Sequence, residues 1–458
     1  MENTFQIIQQ VAFAAVFLTA NYIMIKRFLF IRRNILLGKP EDRSGNFVQR
    51  FKTMVMMALG QKQMFDRPLA GIMHFTIYAG FLLINVEVLE IVLDGLLGTH
   101  RLFAPLFGSF YTFLISFFEI LAFGVVVSCV IFFSRRNLLK LPRFTKPEMK
   151  GWPTLDANLI LVWEIVLMCA LFNMNGTDLV LQTRAGESAY VAEHYHQTGQ
   201  FAISGTFVGF FENFSTPTLI ALERIAWWIH IVGILIFAIY ITYSKHLHIF
   251  LAFPNTFFSN LTPHGKMENM PSVTNEVNIM LGIGGAGEEE VSQDDSEVPT
   301  FGAKDVTDLT WKNLLDAYSC TECGRCTSVC PANQTGKLLS PRKIMMDTRN
   351  RLEEVGKGID KNGKEFSDDK SLYGDYTTKE ELMACTTCNA CVEACPININ
   401  PLEIILQQRR YIAMEESSTP ASWNAMFTNI ENNFAPWAFP ASERFKWAEE
   451  IQQNEDKQ

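Results

Sequence analysis

The sequence predicts an all-α fold: a bundle of five transmembrane helices followed by a water-soluble helical domain. Three observations carry that prediction. The 37 phenylalanines and the long apolar runs fall mostly in the first half of the 458 residues. Residues 1–258 hold 20 Lys and Arg against 16 Asp and Glu, and the remainder holds 19 against 32, so the formal charge splits into +4 and −13. Eight of the ten cysteines lie in two tight clusters, while Cys129 and Cys169 stand alone in apolar runs and read as small core residues. An acidic soluble part gives no reason to expect nucleic acid, whose phosphates it would repel.

Five apolar segments, near 6–30, 69–97, 110–133, 155–181 and 224–251, are long enough to cross a bilayer at about 1.5 Å per residue. No cleavable signal peptide is expected, because MENT carries no Lys or Arg and the positive charge follows the first apolar segment. Lys26 to Arg67 holds ten basic residues and Arg135 to Lys150 holds six, whereas the alternate loops hold only Arg101 and Arg184. The positive-inside rule then places the N-terminus outside and the acidic half in the cytoplasm, for a multi-pass protein of the bacterial inner membrane. A reducing cytoplasm disfavours disulfides, so eight clustered thiols read as metal ligands.

Polar side chains inside a lipid-facing helix need a separate reason. His74 sits about 10 Å beyond Arg67 on the second helix. WWIHIVGILIFAIYITYSKHLHIF, read as one fifth helix, carries His230 near its outer end and His246 and His248 near its inner end. Eighteen residues make five turns, which puts His230 and His248 on one face about 27 Å apart. Imidazoles stacked in a bundle suit axial ligation of haem iron. His74 with His248 is the expected pair for one inner haem b, with His246 in reserve; a histidine snorkelling to the interface is the plain alternative. His230 is compatible with a second haem, a quinone pocket or packing, since Ile84 occupies the level opposite it. His100, His194 and His196 read as solvated loop residues. Glu87, Glu90, Glu119 and Glu164 lie at or within apolar segments, where carboxylates mark proton paths or ion pairs. Glu87 and Glu90 share a face and form a candidate proton path, with an interhelical hydrogen bond as the alternative.

Residues 259–305 read as an acidic linker between the membrane domain (1–258) and a cluster domain (306–415), with a C-terminal tail at 416–458. GIGGAG (282–287) in that linker lacks the preceding strand and following helix of a nucleotide loop. CTECGRCTSVCP (320–331) and CTTCNACVEACP (385–396) both follow C-x2-C-x2-C-x3-C-P. Three closely spaced thiolates wrap one cubane, and the fourth, before proline, completes the other. One [4Fe–4S] cluster is therefore assigned to Cys320, Cys323, Cys326 and Cys395, and the second to Cys385, Cys388, Cys391 and Cys330. Zinc usually takes two separated pairs instead. Segments such as SPRKIMMDTRNRLEEVG and PLEIILQQRRYIAM favour helix, so the dicluster domain is expected to be α-helical and ferredoxin-like. Arg325 and Lys337 are placed to offset cluster charge or to lie in solvent.

On five helices, His74, His230 and YSKHLHI (243–249), the first 250 or so residues resemble the gamma subunit of respiratory nitrate reductase and the E-type subunit of heterodisulfide reductase. That resemblance implies a haem b domain. The nitrate reductase pattern pairs two histidines on the second helix with two on the fifth; only His74 stands on the second helix here. DAYSCTECGRCTSVCPANQTGK and CTTCNACVEACPININP resemble the C-type subunit of heterodisulfide reductase and the N-terminal part of its D-type subunit. They also resemble the C-type subunit of anaerobic glycerol-3-phosphate dehydrogenase. Such proteins continue into, or associate with, cysteine-rich CCG domains. NIENNFAPWAF (429–439) resembles the lead into that part, and no Cys-Cys dipeptide occurs here. The resemblance thus implies a separate CCG-type partner, with the tail around Trp423, Trp437 and Trp447 as docking surface or as self-packing aromatics.

The expected function is electron transfer between a membrane quinone and a cytoplasmic partner of an oxidoreductase complex. No flavin, nicotinamide or catalytic-triad motif accompanies the redox ligands. A redox sensor would need an output domain, and a bare anchor would leave its histidines without ligand.

Overall fold

The computed structural model describes all residues except 1, 264, 268, 284–299 and 456–458. Among them the fold is all-α, with no strand. Five helices are long and apolar enough to cross a membrane. They are α1 (Glu2–Ile35), α3 (Pro68–Leu97), α4 (Ser109–Asn137), α5 (Trp152–Gln182) and α6 (Thr216–Ile241); a short amphipathic α2 (Phe47–Met54) lies between the first two. Proline at the first or second position opens α3, α5 and α6, where a missing N–H leaves no bond unmade. Gly98 closes α3 in the left-handed region at φ 71. α5 packs along α6 and α4, α3 along α4, and α1 along α6 and α3, which makes a multi-pass membrane bundle.

The fifth span differs from expectation. α6 stops at Ile241; a turn and a 3-10 segment (Lys245–Leu247) lead into a separate α7 (His248–Phe257). The cause is tertiary. Asp156, near the start of α5, accepts hydrogen bonds from Tyr240 Oη (2.5 Å), Ser244 Oγ (2.6 Å) and the Lys245 amide (3.2 Å). His230 and His248 therefore do not share a helix face. His230 lies near the middle of α6, not near its outer end.

The first span also runs further than expected, because its last turns leave the bundle and enter the soluble domain. Ile31 joins that domain's core, and Asn34 Nδ2 donates to Tyr318 Oη at 2.9 Å. Beyond α8 (Pro271–Met280) come α9 (Trp311–Ser319), α10 (Arg325–Val329), α11 (Pro341–Asn362), α12 (Ala390–Glu393) and α13 (Pro401–Met414). Leu247 and Ala252 share one apolar core with Leu314, Leu352, Ile404 and their neighbours, so the halves are packed together. Ion pairs rim the junction: Arg27–Glu353 at 2.6 Å, Lys245–Glu322 at 2.5 Å and Arg342–Glu148 at 2.7 Å. Of the GIGGAG run only 282 and 283 are described, and the acidic run after it lies outside the described residues. α14 (Ala421–Asn433) and α15 (Lys446–Glu455) contain no buried residue among those described.

Candidate redox centre

The two cysteine motifs fold alike. Glu322 and Thr387, each just before the second cysteine, take the left-handed region at φ 55 and 54. Gly324 and Asn389, each just after it, do the same at φ 72 and 59. These reversals curl each loop around its own sulfurs before α10 and α12 begin, and those two short helices pack together. Amides turn inward as a result: Thr387 N donates to Cys385 Sγ at 3.4 Å, and Ile399 N to Cys395 Sγ at 3.3 Å. Backbone donors of this kind stabilise cluster sulfur.

The thiols sort into two neighbourhoods. Cys326 feels the charge of Cys323, Cys320 and Cys395, and Cys395 that of Cys323 and Cys320. Cys391 feels Cys385, Cys330 and Cys388. Cys395 of the second motif thus acts on thiols of the first, and Cys330 of the first on a thiol of the second. Cys391 also influences Cys326, where the sets meet. Burial pushes the Cys320 thiol up to about 11 and the Cys391 thiol to about 12. Arg325 is buried and feels Cys323 and Cys395, whereas Lys337 is exposed.

A cavity of about 310 Å³ runs from the interior of the bundle to the first thiol set; His74, His246 and His248 line it, and Cys323 lies at its end. The rings of His74 and His248 stand with centroids 6.2 Å apart. Two imidazoles at that separation could hold one metal ion between them, each through one nitrogen. His248 Nδ1 donates to the Lys245 carbonyl at 3.1 Å, and His74 Nδ1 is 3.0 Å from Gln61 Oε1. Each Nε2 is thereby left with its lone pair, the arrangement that orients a metal-binding histidine. The residues present fit a bis-imidazole iron site. His246 lies against His248 at 5.4 Å and Phe237 at 5.6 Å, and burial disfavours its protonated form.

His230 is elsewhere. It is fully buried, with Nδ1 donating to the Leu167 carbonyl at 2.9 Å and Nε2 without a partner. Glu90 accepts from Phe103 N and Tyr111 Oη, both at 2.7 Å, so it ties α3 to the adjoining loop and to α4. Both Glu87 oxygens are buried without a hydrogen-bond partner. Glu119 accepts from Asn175 Nδ2 at 3.0 Å and from the amides of Ile203 and Ser204, while Glu164 lines the histidine cavity. His100 is not solvated: it is 3.4 Å from Asp178 and packs edge-on against Tyr195. His194 stacks on Tyr190, and only His196 of that trio is exposed. Cys129 is buried, as expected, but Cys169 faces outward. Gln61, Lys245 and Glu322 were not legible as site residues; Glu322 bridges Lys245 and Arg349 between two cluster cysteines. Only its place inside C-x2-C marked it.

A 4Fe-4S dicluster domain model matches residues 319–399, which contain all eight clustered cysteines, and this supports iron–sulfur clusters in that part of the chain. No solved structure matches the chain. It is 27% identical to a probable iron-sulfur-binding oxidoreductase, FadF, of Bacillus subtilis over 96% of this chain and 61% of that protein. It is 26% identical to an EtfAB:quinone oxidoreductase of Syntrophomonas wolfei over 91% of this chain and 56% of that protein. Over 23% of this chain it is 34% identical to the C-type subunit of a ferredoxin/F(420)H(2)-dependent CoB-CoM heterodisulfide reductase of Methanosarcina acetivorans, covering 52% of that protein. The chain thus spans about six-tenths of the two relatives it matches almost throughout, and its dicluster part is similar to a heterodisulfide reductase component.

Proposed function

We propose that this protein is a membrane electron-transfer subunit that carries electrons between the quinone pool and a soluble redox partner. The observation that carries this reading is the His74–His248 pair, 6.2 Å apart in a cavity that ends at Cys323. When bound, one haem b and two [4Fe–4S] clusters supply one-electron carriage, which the protein itself lacks. His74 and His248 hold the haem iron through Nε2, with His246 beside them. Cys320, Cys323, Cys326 and Cys395 hold the cluster nearer the membrane; Cys385, Cys388, Cys391 and Cys330 hold the other. Gln61 and the Lys245 carbonyl keep both imidazoles in the ligating tautomer.

The same reading puts the N-terminus outside and the cluster domain in the bacterial cytoplasm, where the two basic loops lie. Glu87, buried and without a hydrogen-bond partner, is the candidate for holding a proton on the other side of the bundle. The name of the Syntrophomonas relative supports quinone as the membrane substrate and an EtfAB-like protein as one exchange partner. A CCG-type iron–sulfur protein is the second, with the exposed Phe434, Trp437 and Trp447 of the tail as its docking surface.

Iron and haem counts with an optical spectrum test the proposal. Anaerobically purified protein is expected to hold about eight cluster irons and one haem iron, and quinol should reduce the haem. His74→Ala should lose the haem while keeping the cluster iron. Full haem in that variant would remove His74 as ligand, and colourless wild-type protein would end the reading.

A further inference from the structure

The histidine cavity is not uniform in polarity. Its deep wall is largely apolar, with Ile77, Phe81 and Leu82 from α3 and Leu161 from α5. Its other end, at the junction with the cluster domain, is lined by Arg135, Arg136 and Arg143. Arg136 and Arg143 both stack on Phe144, their guanidinium carbons 4.4 and 4.6 Å from its ring centre. Nε and Nη2 of Arg136 and Nε of Arg143 are buried with no hydrogen-bond partner. A guanidinium has five donors, and leaving them unmet beside a low-dielectric wall costs free energy.

Glu322 and Asp156 oppose the Arg136 charge from a distance, but no carboxylate of the described residues accepts a hydrogen bond from these three donors. The nearby acids are already engaged, Glu148 by Arg342 and Glu322 by Lys245 and Arg349. Arg67, Arg325 and Arg135 add like charge around Arg143, and Cys323 is the opposing group. The junction end of the cavity is therefore a preformed anion site, with forked donors suited to carboxylates.

We infer that Arg136 and Arg143 bind the two propionate carboxylates of the haem, so that the charged edge of the macrocycle faces the cluster domain and its hydrocarbon edge faces the apolar wall. The inference rests on the haem reading above. Haem is the ligand that suits both ends, having two carboxylates on one edge and an otherwise apolar rim. These arginines were legible in the sequence only as topology charges; the unmet donors assign them a second task.

The test is a redox titration of the full-length protein with Arg136→Gln, Arg143→Gln and the double variant, each with its cluster iron counted. Removing positive charge beside the haem favours the ferric state. The double variant should lower the haem midpoint by at least about 59 mV, a tenfold change in the one-electron reduction constant. It should also release haem several-fold faster to an apoprotein acceptor. Arg136→Lys with Arg143→Lys keeps charge but not the fork, so it should retain the midpoint and still release haem faster. This pair decides the matter if the Gln variants lose cluster iron. An unshifted haem midpoint and unchanged release, with only the cluster signals moved, would mean that the arginines serve the cluster alone and would overturn the inference. Wild-type protein without haem would instead defeat the underlying reading, a distinct result.

Discussion

Gly324 and Asn389 hold matching places after the second cysteine of each motif, and both are left-handed. Glycine and asparagine are the residues that tolerate that region most readily, so CTECG and CTTCN announced the curl in the sequence itself. What the sequence does not announce is why one place demands glycine. A Cβ on Gly324 would lie 2.4 Å from Arg342 Nη1. Arg342 cannot withdraw, because it is fully buried and donates to Arg143 O and Glu148 Oε1, both at 2.7 Å. Gly324→Ala should therefore cost about 1–3 kcal/mol from backbone strain, with a further loss if Arg342 is displaced. Differential scanning of the clustered protein and iron retention would show it. Asn389→Gly should change stability by less than about 1 kcal/mol; equal losses at the two positions would refute the Arg342 explanation.

Among the elements, α6 and α7 show where reading failed and why. Nothing in IFAIYITYSKHLHIF resembles a break signal of Gly or Pro, and the apolar run invites one continuous helix. The break is imposed by Asp156 from 88 residues away, a tertiary effect that no local window contains. The spans, by contrast, were legible because lipid leaves only helices available and marks them by length. The turn made by the break delivers Lys245 to Glu322, a pair at 2.5 Å that joins the halves. Burial acts to raise the Glu322 carboxyl, but Arg349 and Lys245 outweigh it and hold it below the usual range. A depressed folded value means stability present above the unfolded value near 4.5 and lost as pH falls through the folded one. Glu322→Gln should thus lower stability at pH 7 by roughly 1.5–3 kcal/mol, since buried Lys245 loses one charged partner while keeping the Pro153 carbonyl at 2.5 Å and Asp156 at 3.8 Å. The difference from wild type should shrink below pH 4.5. Hydrogen exchange across residues 241–258 in detergent would report it, and identical protection in both proteins at pH 7 would show the pair to be dispensable.

For the whole molecule, the two thiol sets are not equivalent. The first lies at the junction, with buried Cys320 and with Cys323 at the end of the histidine cavity. The second lies away from it: Cys388 is exposed, and Arg409, which donates to the Cys385 carbonyl at 2.5 Å, stacks on Trp423 of the tail. The cysteine spacing marked two candidate cages but not their order, because the more than fifty residues between the motifs say nothing about which faces the membrane. Packing decides that, through α7 and the Lys245 turn. The order has a consequence for function. Cys388→Ser should remove about four of the eight cluster irons and leave reduction of haem by quinol within about twofold of wild type. Exchange with a soluble partner should fall at least about tenfold, since the exposed cage is the one that partner can approach. Anaerobic stopped-flow at the haem band, with quinol and with the soluble partner in turn, separates the two rates. If Cys388→Ser slowed both alike, or if Cys320→Ser spared the soluble exchange while blocking nothing at the haem, the membrane-to-surface order of the two cages would be wrong.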